Sequence, residues 1–233
     1  MQVNVALTAV SNVPDRVAGR PVTHEGHDVG AVVFIVDGDG FMRESLERRI
    51  RLAGWEAETF ASAEAFLSHP RGARPCCVIL DVALPGISGL ELQKQLAARR
   101  DMPIIFVASH TDVPMTVQAM KAGALEFLTR PVNDDALLLA IQTAIERSGA
   151  ALRHDSEMQM LRDCYATLTP REREVMTLVV SELLNKQVGF ELGVSEATVK
   201  AHRGQVMRKM EAESLPDLVT MATALGLRPF RQH

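Results

Sequence analysis

Short continuous apolar runs alternate with amphipathic segments from residue 31 to residue 146. Runs such as AVVFIV, CCVIL and IIFVA are typical of strands that are buried on both faces of a parallel sheet. In the segments between them, apolar residues recur every three or four positions, which is the period of an amphipathic helix. Five strand–helix units of this kind predict an α/β domain with a doubly wound parallel sheet.

Glycine, proline and capping residues give the predicted bounds of these elements. Gly54 and Gly123 end two helices, and Pro103 precedes a strand. Asn133 or Asp134 caps the last helix of the domain. The predicted strands cover residues 31–36, 55–60, 76–80, 104–108 and 125–128, and the predicted helices include 63–67, 88–99 and 113–121.

The segment that follows this domain also has a helical pattern. Ser148 and Gly149 favour a break or a kink, whereas residues 150–162 favour a helix. An apolar stripe with spacings of three and four continues through Met158, Leu161, Tyr165 and Leu168. The pattern predicts an extended linker helix rather than a flexible tether.

A second domain of short helices is predicted after the linker. Thr169, Pro170 and Glu172 form the N-cap, the first residue and the capping-box partner of its first helix. Helix 184–192, a glycine turn and helix 195–210 make a helix-turn-helix. A fourth helix follows after residue 214.

Helix 195–210 has two chemically different faces. At 100° per residue, Val199, Val206 and Met210 lie on one face, and Lys200, Gly204 and Arg208 lie on or near the opposite one. Small side chains allow a helix to approach base edges, and cations on its flanks meet phosphates. Basic helix faces are also common as solvated surface, so this face alone does not establish DNA binding.

Composition and charge place any nucleic-acid binding in the C-terminal part. The 233 residues are 47% hydrophobic and 23% charged, a globular balance that suits two domains. The net charge of −4 argues against a protein that binds nucleic acid over its whole surface. Residues 195–210 nevertheless carry four Lys or Arg against one Glu, which concentrates positive charge on one helix.

Cysteine usage and the absence of long apolar runs predict a cytoplasmic protein. Cys76, Cys77 and Cys164 have neither metal-binding spacing nor an even number, which suits thiols in a reducing compartment. No apolar run approaches the ~20 residues of a membrane span. Residues 1–29 lack a signal-peptide pattern, and we expect a weakly ordered extension with no assigned function.

Residues 31–146 resemble the receiver domain of two-component response regulators, and the FixJ branch in particular. The motifs are VDGDG, LDVALPGISGLEL, IIFVA, SHTDVPMTVQAMKAGA, KAGALEFL and RP. The resemblance implies a flavodoxin-like or CheY-like fold with five parallel strands in the order 2-1-3-4-5. It also implies that a histidine kinase phosphorylates Asp81 at the carboxyl edge of the sheet, where Asp37 and residues 108–109 should converge with it.

Three positions of the implied pocket depart from the family. Gly38 replaces the second acidic residue, Ala108 replaces a hydroxyl residue, and Arg130 replaces a lysine. Asp39 is displaced by one residue, and Ser109 should point to the opposite face from Ala108. The candidate pocket residues are Asp37, Gly38, Asp39, Asp81, Ala108, Ser109, Phe127 and Arg130. The candidate Mg²⁺ ligands, which form a weakened site, are Asp37, Asp81 and Ala83.

These departures predict a degenerate receiver that acts independently of phosphorylation or only weakly through it. No cofactor is required, and Mg²⁺ binding is weakened. One alternative is a conventional regulator that a kinase phosphorylates on Asp81. Asp81 could instead be a structural carboxylate paired with Arg130, and the pocket a fixed surface for dimerisation or docking.

The C-terminal segments LTPREREV and LNKQVGFELGVSEATVKAHRGQVMRKM resemble the LuxR/NarL-type DNA-binding domain. The resemblance implies that helix 195–210 is the recognition helix in the major groove of DNA. The residues expected at base edges are Lys200, Ala201 and Gly204, and those expected near phosphates are Asn185, Lys186, His202, Arg203 and Lys209. Asn185 could instead be a local cap and His202 a packed flank. The last helix would pair protomers, so a homodimer would read a two-fold site.

The predicted organisation is an N-terminal extension over 1–29, a receiver over 30–148, a linker helix over 149–165 and a four-helix LuxR-type domain over 166–230. The predicted function is a DNA-binding transcriptional response regulator, not an enzyme. Its predicted partners are promoter DNA, a histidine kinase, RNA polymerase and a second copy of the chain, with no membrane. An alternative of another class is a protein-interaction adaptor or phosphate sink with a vestigial helix-turn-helix.

Overall fold

The computed structural model describes residues 30–109 and 113–227. The predicted extension over 1–29 and the last residues of the predicted C-terminal domain, 228–230, lie outside the described residues. The described chain forms an α/β domain, a long helix and a cluster of short helices. Within these residues, no helix is both long enough and apolar enough to cross a membrane.

The N-terminal domain contains one parallel sheet of five strands in the order β2-β1-β3-β4-β5, as the receiver resemblance implied. Its strands are β1 (Val32–Val36), β2 (Glu56–Phe60), β3 (Cys76–Leu80), β4 (Ile104–Ala108) and β5 (Glu126–Thr129). Its helices are α1 (Gly40–Leu52), α2 (Ala63–Leu67), α3 (Gly89–Leu96) and α4 (Val113–Lys121), followed by α5 (Asp134–Ala166). The elements predicted from the apolar runs are all present, with strand ends shifted by at most one residue.

The three central strands, β1, β3 and β4, are buried at every position, which explains their continuous apolar sequence. Successive side chains point to opposite faces of the sheet and enter two separate cores. Phe34 and Leu80 pack with α2 and α3 on one face, while Ile35 and Ile79 pack with α1 and α5 on the other. This double burial holds the carboxyl ends of the strands in fixed relative positions.

The predicted helix over 88–99 is too long. Helix α3 ends at Leu96, and Ser88 lies outside it as the N-cap of a capping box with Glu91. Beyond Leu96 the chain turns, and within this turn the Arg99 guanidinium binds the Asp101 carboxylate through two hydrogen bonds of 2.9 and 2.8 Å. This local ion pair stabilises a turn that carries the chain into β4.

Helix α5 continues without interruption from the N-terminal domain through the predicted linker, so the break at Ser148 and Gly149 does not occur. Ser148 is fully buried, and its hydroxyl accepts a hydrogen bond from the Cys76 backbone N–H at 2.9 Å and donates one to the Asp101 carbonyl oxygen. The serine therefore attaches the helix to the sheet instead of breaking it.

The C-terminal domain consists of α6 (Pro170–Val179), α7 (Asn185–Leu192), α8 (Glu196–Lys209) and α9 (Leu215–Ala224). Thr169 and Glu172 form the predicted capping box at the start of α6. Gly193 has a φ of +64° and terminates α7 in the left-handed conformation, which turns the chain into α8. Val175, Val188 and Val199 meet in one core, so the predicted helix-turn-helix is confirmed.

Candidate functional site

The carboxyl edge of the sheet brings together charged side chains that are far apart in sequence. Asp37 follows β1, Asp81 follows β3 and Arg130 follows β5. Asp37 is 2% exposed and Asp81 is 8% exposed, so both carboxylates are largely removed from water. Such groups require a partner, because burying an unpaired charge is strongly unfavourable.

Arg130 supplies that partner. One guanidinium nitrogen, Nη2, forms a short ion pair with Asp37 Oδ2 and lies 3.9 Å from Asp81 Oδ1. The other, Nη1, donates a hydrogen bond of 3.2 Å to the Ser109 hydroxyl. The Arg130 side chain is only 14% exposed. Asp37, rather than Asp81, is therefore the closer carboxylate partner of Arg130.

Gly38 and Asp39 lie between the end of β1 and the start of α1. Asp39 does not reach into the pocket, because its carboxylate accepts a hydrogen bond of 2.9 Å from the Phe41 N–H and caps α1. A Cβ atom at Gly38 would lie 3.1 Å from Pro85 Cδ. An acidic side chain at position 38 would thus require a shift of the proline ring.

The expectation that Ser109 points away from the pocket is wrong. Strand β4 ends at Ala108, so the alternation of side chains between faces no longer applies to Ser109. Ala108 itself is 3% exposed and belongs to the core. Phe127, a predicted pocket residue, stacks on Phe106 with ring centroids 5.7 Å apart, which makes it part of the packing beneath the edge.

Sequence reasoning missed Arg43, which donates a hydrogen bond of 2.7 Å to the carbonyl oxygen of Asp37. Arg43 lies in the first turn of α1, four residues after the Asp39 cap. Helical side chains lean toward the N-terminus of their helix, and this direction would have indicated the contact.

Burial raises the pKa of Asp81 above its ordinary value, and the neighbouring Asp37 carboxylate raises it further. The Arg130 guanidinium and the backbone N–H groups of Ala83 and Val82 act in the opposite direction. The proton is therefore held more tightly on Asp81 than on a carboxyl group in water.

The residues of this pocket do not fit Mg²⁺ as they are arranged. Mg²⁺ requires oxygen ligands in near-octahedral geometry, and the carboxylates available are those of Asp37 and Asp81. The Arg130 guanidinium already binds the first and lies beside the second. No group of three or more His, Cys, Asp or Glu residues suited to a metal ion occurs in the described parts of the chain.

The C-terminal domain displays the predicted recognition face. Val199, Val206 and Met210 are buried, which confirms the apolar side of α8. Lys200, Ala201 and Gly204 are exposed on the other side, and His202 and Arg203 are partly exposed between them. The exposed side of α8 thus combines the small residues Ala201 and Gly204 with the cations Lys200 and Arg208.

Arg203 and Asn185 lie together across the helix-turn-helix. Arg203 Nη1 donates a hydrogen bond of 3.2 Å to Asn185 Oδ1, which joins α8 to the start of α7. The local-cap alternative for Asn185 is wrong, because the N-cap position of α7 is Leu184. Lys186, next to Asn185, is exposed. Three of the residues predicted near phosphates therefore belong to one polar surface.

Lys209 departs from this surface. Its ammonium lies 2.7 Å from Glu172 Oε2 and donates a hydrogen bond of 3.1 Å to the Thr167 carbonyl oxygen. The hydrogen bond from Lys209 is the largest influence that lowers the pKa of Glu172. Lys209 thus fastens the end of α8 to the start of α6, and the prediction that it serves mainly as a phosphate contact is not supported.

Comparison with known proteins finds relatives of both domains. The family described as "Response regulator receiver domain" matches residues 33–142, and the family described as "Bacterial regulatory proteins, luxR family" matches residues 166–222. The chain is similar to Nodulation protein W of Bradyrhizobium diazoefficiens, with 44% identity over 205 residues covering 88% of this chain and 90% of that protein.

Two further relatives match both domains together. The Transcriptional regulatory protein FixJ of Bradyrhizobium diazoefficiens is 37% identical over 207 residues, covering 88% of this chain and 98% of that protein. The solved structure of Response Regulator StyR is 43% identical, with a TM-score of 0.74, and the match covers 83% of this chain and 98% of that one.

Proposed function

Because this chain belongs to the two-component response regulators of the FixJ/NarL type, in which a receiver domain precedes a LuxR-type DNA-binding domain, we propose that it regulates transcription independently of aspartyl phosphorylation or only weakly through it. Membership implies DNA as the ligand of the C-terminal domain and a histidine kinase as partner of the receiver.

The observation that carries the proposal is the ion pair between Arg130 and Asp37. Phosphoryl transfer to a carboxylate depends on positive charge placed around the transferred group, usually with a metal ion. Here the guanidinium is bound to the carboxylate that would hold the metal, and it lies 3.9 Å from the acceptor Asp81. The guanidinium offsets one of the two carboxylate charges without an ion. Gly38 lacks the second acidic group, and Ala108 lacks the hydroxyl, that the family resemblance calls for.

For the DNA-binding domain, we propose that Lys200, Ala201 and Gly204 face base edges in the major groove. Asn185, Lys186, His202 and Arg203 would then lie near phosphates. The Arg203–Asn185 hydrogen bond supports this division, because it holds both side chains at the same edge of α8. We further propose that α9 pairs two copies of the chain on a two-fold symmetric promoter site.

Phosphorylation is tested by incubating the protein with acetyl phosphate and Mg²⁺, followed by Phos-tag electrophoresis. We expect little or no shifted protein on the time scale that labels a conventional receiver. The combined variant Gly38→Asp, Ala108→Thr and Arg130→Lys restores the missing groups and should gain a shift. Rapid labelling of the unaltered protein that Asp81→Asn abolishes would contradict phosphorylation independence.

DNA recognition is tested by fluorescence anisotropy with duplexes selected from the region upstream of the protein's own gene. Lys200→Ala should lose discrimination between the best duplex and a scrambled one, by roughly 1–3 kcal/mol. Arg203→Ala should weaken binding to both duplexes and lower the salt dependence by about one counterion. Arg153→Ala, at an exposed position of α5, is the control. Unchanged binding by both α8 variants would refute the assignment.

A further inference from the structure

A cavity of about 480 Å³ opens at the amino end of the sheet, opposite to the carboxyl edge that carries Asp81. Its walls are the end of α3, the segment before β4, the turn before β5 and the part of α5 that leaves the receiver. Cavities of this volume are in the range that binds small molecules in proteins. The residues that line the cavity indicate which kind of ligand it can bind.

The floor of the cavity is apolar. Leu96, Met102 and Ile104 line it, and each is at most 6% exposed. Leu125 adds a half-buried edge from the turn before β5. A ligand that covers this floor would remove an apolar part of its own surface from water, which favours binding.

One buried polar group in the wall lacks a partner. Gln93 is 2% exposed, and its Nε2 donates a hydrogen bond of 2.9 Å to the Ala119 carbonyl oxygen. Its Oε1 is buried and accepts no hydrogen bond within the described residues. Unsatisfied buried acceptors destabilise a fold and are rare in native proteins. This oxygen has almost no surface accessible to solvent, so a hydrogen-bond donor on a ligand would reach it after the side chains that cover it shift.

The rim of the cavity is positively charged. Arg99, Arg100 and Arg147 line it, and no acidic residue does so. Arg99 is held by Asp101, whereas Arg100 and Arg147 form no ion pair with any residue that the structure describes. Guanidinium groups bind carboxylates through paired hydrogen bonds, so an anion is the charge that this rim attracts.

We propose that this cavity binds a small organic carboxylate with an apolar ring and a separate hydrogen-bond donor. The ring covers the floor, the carboxylate binds Arg100 and Arg147, and the donor reaches Gln93 Oε1. Because Arg147 belongs to α5, such a ligand contacts the receiver and the base of the linker helix together. The site lies at the opposite end of the sheet from the Asp81 pocket and shares none of its residues.

The test is isothermal titration calorimetry of the full chain with three related probes. 4-Hydroxybenzoate has all three features, benzoate lacks the donor, and 4-hydroxybenzyl alcohol lacks the charge. We expect 4-hydroxybenzoate to bind more tightly than either of the others. Arg147→Gln should weaken that binding about tenfold, which corresponds to roughly 1.4 kcal/mol. Arg153→Gln, at an exposed position of the same helix outside the cavity, should leave it unchanged.

The role of Gln93 is separated from general stability by comparing probes on one variant. Gln93→Leu should reduce the affinity for 4-hydroxybenzoate to that for benzoate and leave benzoate binding unaltered. If this variant does not fold, Arg100→Gln and Arg147→Gln test the same site from its rim. Failure of 4-hydroxybenzoate to bind at millimolar concentration, equal affinity for 4-hydroxybenzoate and benzoate, or equal effects of Arg147→Gln and Arg153→Gln would each overturn the proposal.

Discussion

Removal of Arg130 should destabilise the receiver far more than removal of an ordinary surface arginine. Arg130→Met leaves Asp37 and Asp81 facing each other at 2% and 8% exposure without their cation. Breaking a buried ion pair by removing one partner costs about 3–5 kcal/mol, against at most about 1 kcal/mol for an exposed pair. Because the free energy of unfolding of a domain is about 5–15 kcal/mol, we expect the variant to lose a substantial fraction of the receiver's stability.

The loss should also depend on pH. The pKa of Asp81 is already raised in the folded protein, and Arg130 is the main group that lowers it. Without Arg130 this pKa rises further, so the folded variant binds a proton that the unfolded chain releases. Its deficit is therefore largest above the folded pKa of Asp81 and shrinks as the pH falls through that pKa.

Urea unfolding followed by tryptophan fluorescence measures this loss in the receiver itself. The chain contains a single tryptophan, Trp55, which is 5% exposed just before β2. Arg153→Met provides a control for removing an arginine from an exposed helix position. A loss below about 1 kcal/mol near neutral pH, or a loss that does not change with pH, would refute the view that Arg130 offsets the carboxylate charge of this pocket.

Three further predictions concern single residues. Because the pKa of Asp81 is raised, its ionised form is unfavourable in the fold, and Asp81→Asn should be at least as stable as the unaltered protein at about pH 8. Any gain in the free energy of unfolding should disappear toward about pH 4. A clear loss of stability in urea unfolding at about pH 8 would contradict this. Gly204→Ala should stabilise α8 by about 0.5–1 kcal/mol, since a Cβ atom at this position meets nothing within 4 Å. The same variant should weaken specific DNA binding in anisotropy titrations. Unchanged affinity would exclude a close approach of DNA to this part of the backbone. Lys209→Met should destabilise the C-terminal domain near neutral pH in circular dichroism melts, because the hydrogen bond from Lys209 lowers the pKa of Glu172. The difference in melting temperature between the variant and the unaltered protein should narrow as the pH falls below about 4. A difference that persists at lower pH would assign the effect to packing instead.

The sequence by itself determined the elements and their order. Continuous apolar runs specified strands buried on both faces, and the spacing of apolar residues specified which side of each helix enters a core. The caps at Thr169 and Ser195 were readable because a cap is a local interaction over three residues. The sequence motifs identified the family and both domains, and they thereby located Asp81 and the exposed face of α8.

Only the tertiary structure decided which partner each charged side chain takes. Ser109 joined Arg130 once β4 had ended, and Lys209 bound Glu172 from the other side of the domain. Helix α5 passed through Ser148 because its hydroxyl found partners 47 and 72 residues away. Local patterns depend on neighbours within a few residues, whereas an ion pair or a buried hydrogen bond depends on distances that arise only after distant segments have packed.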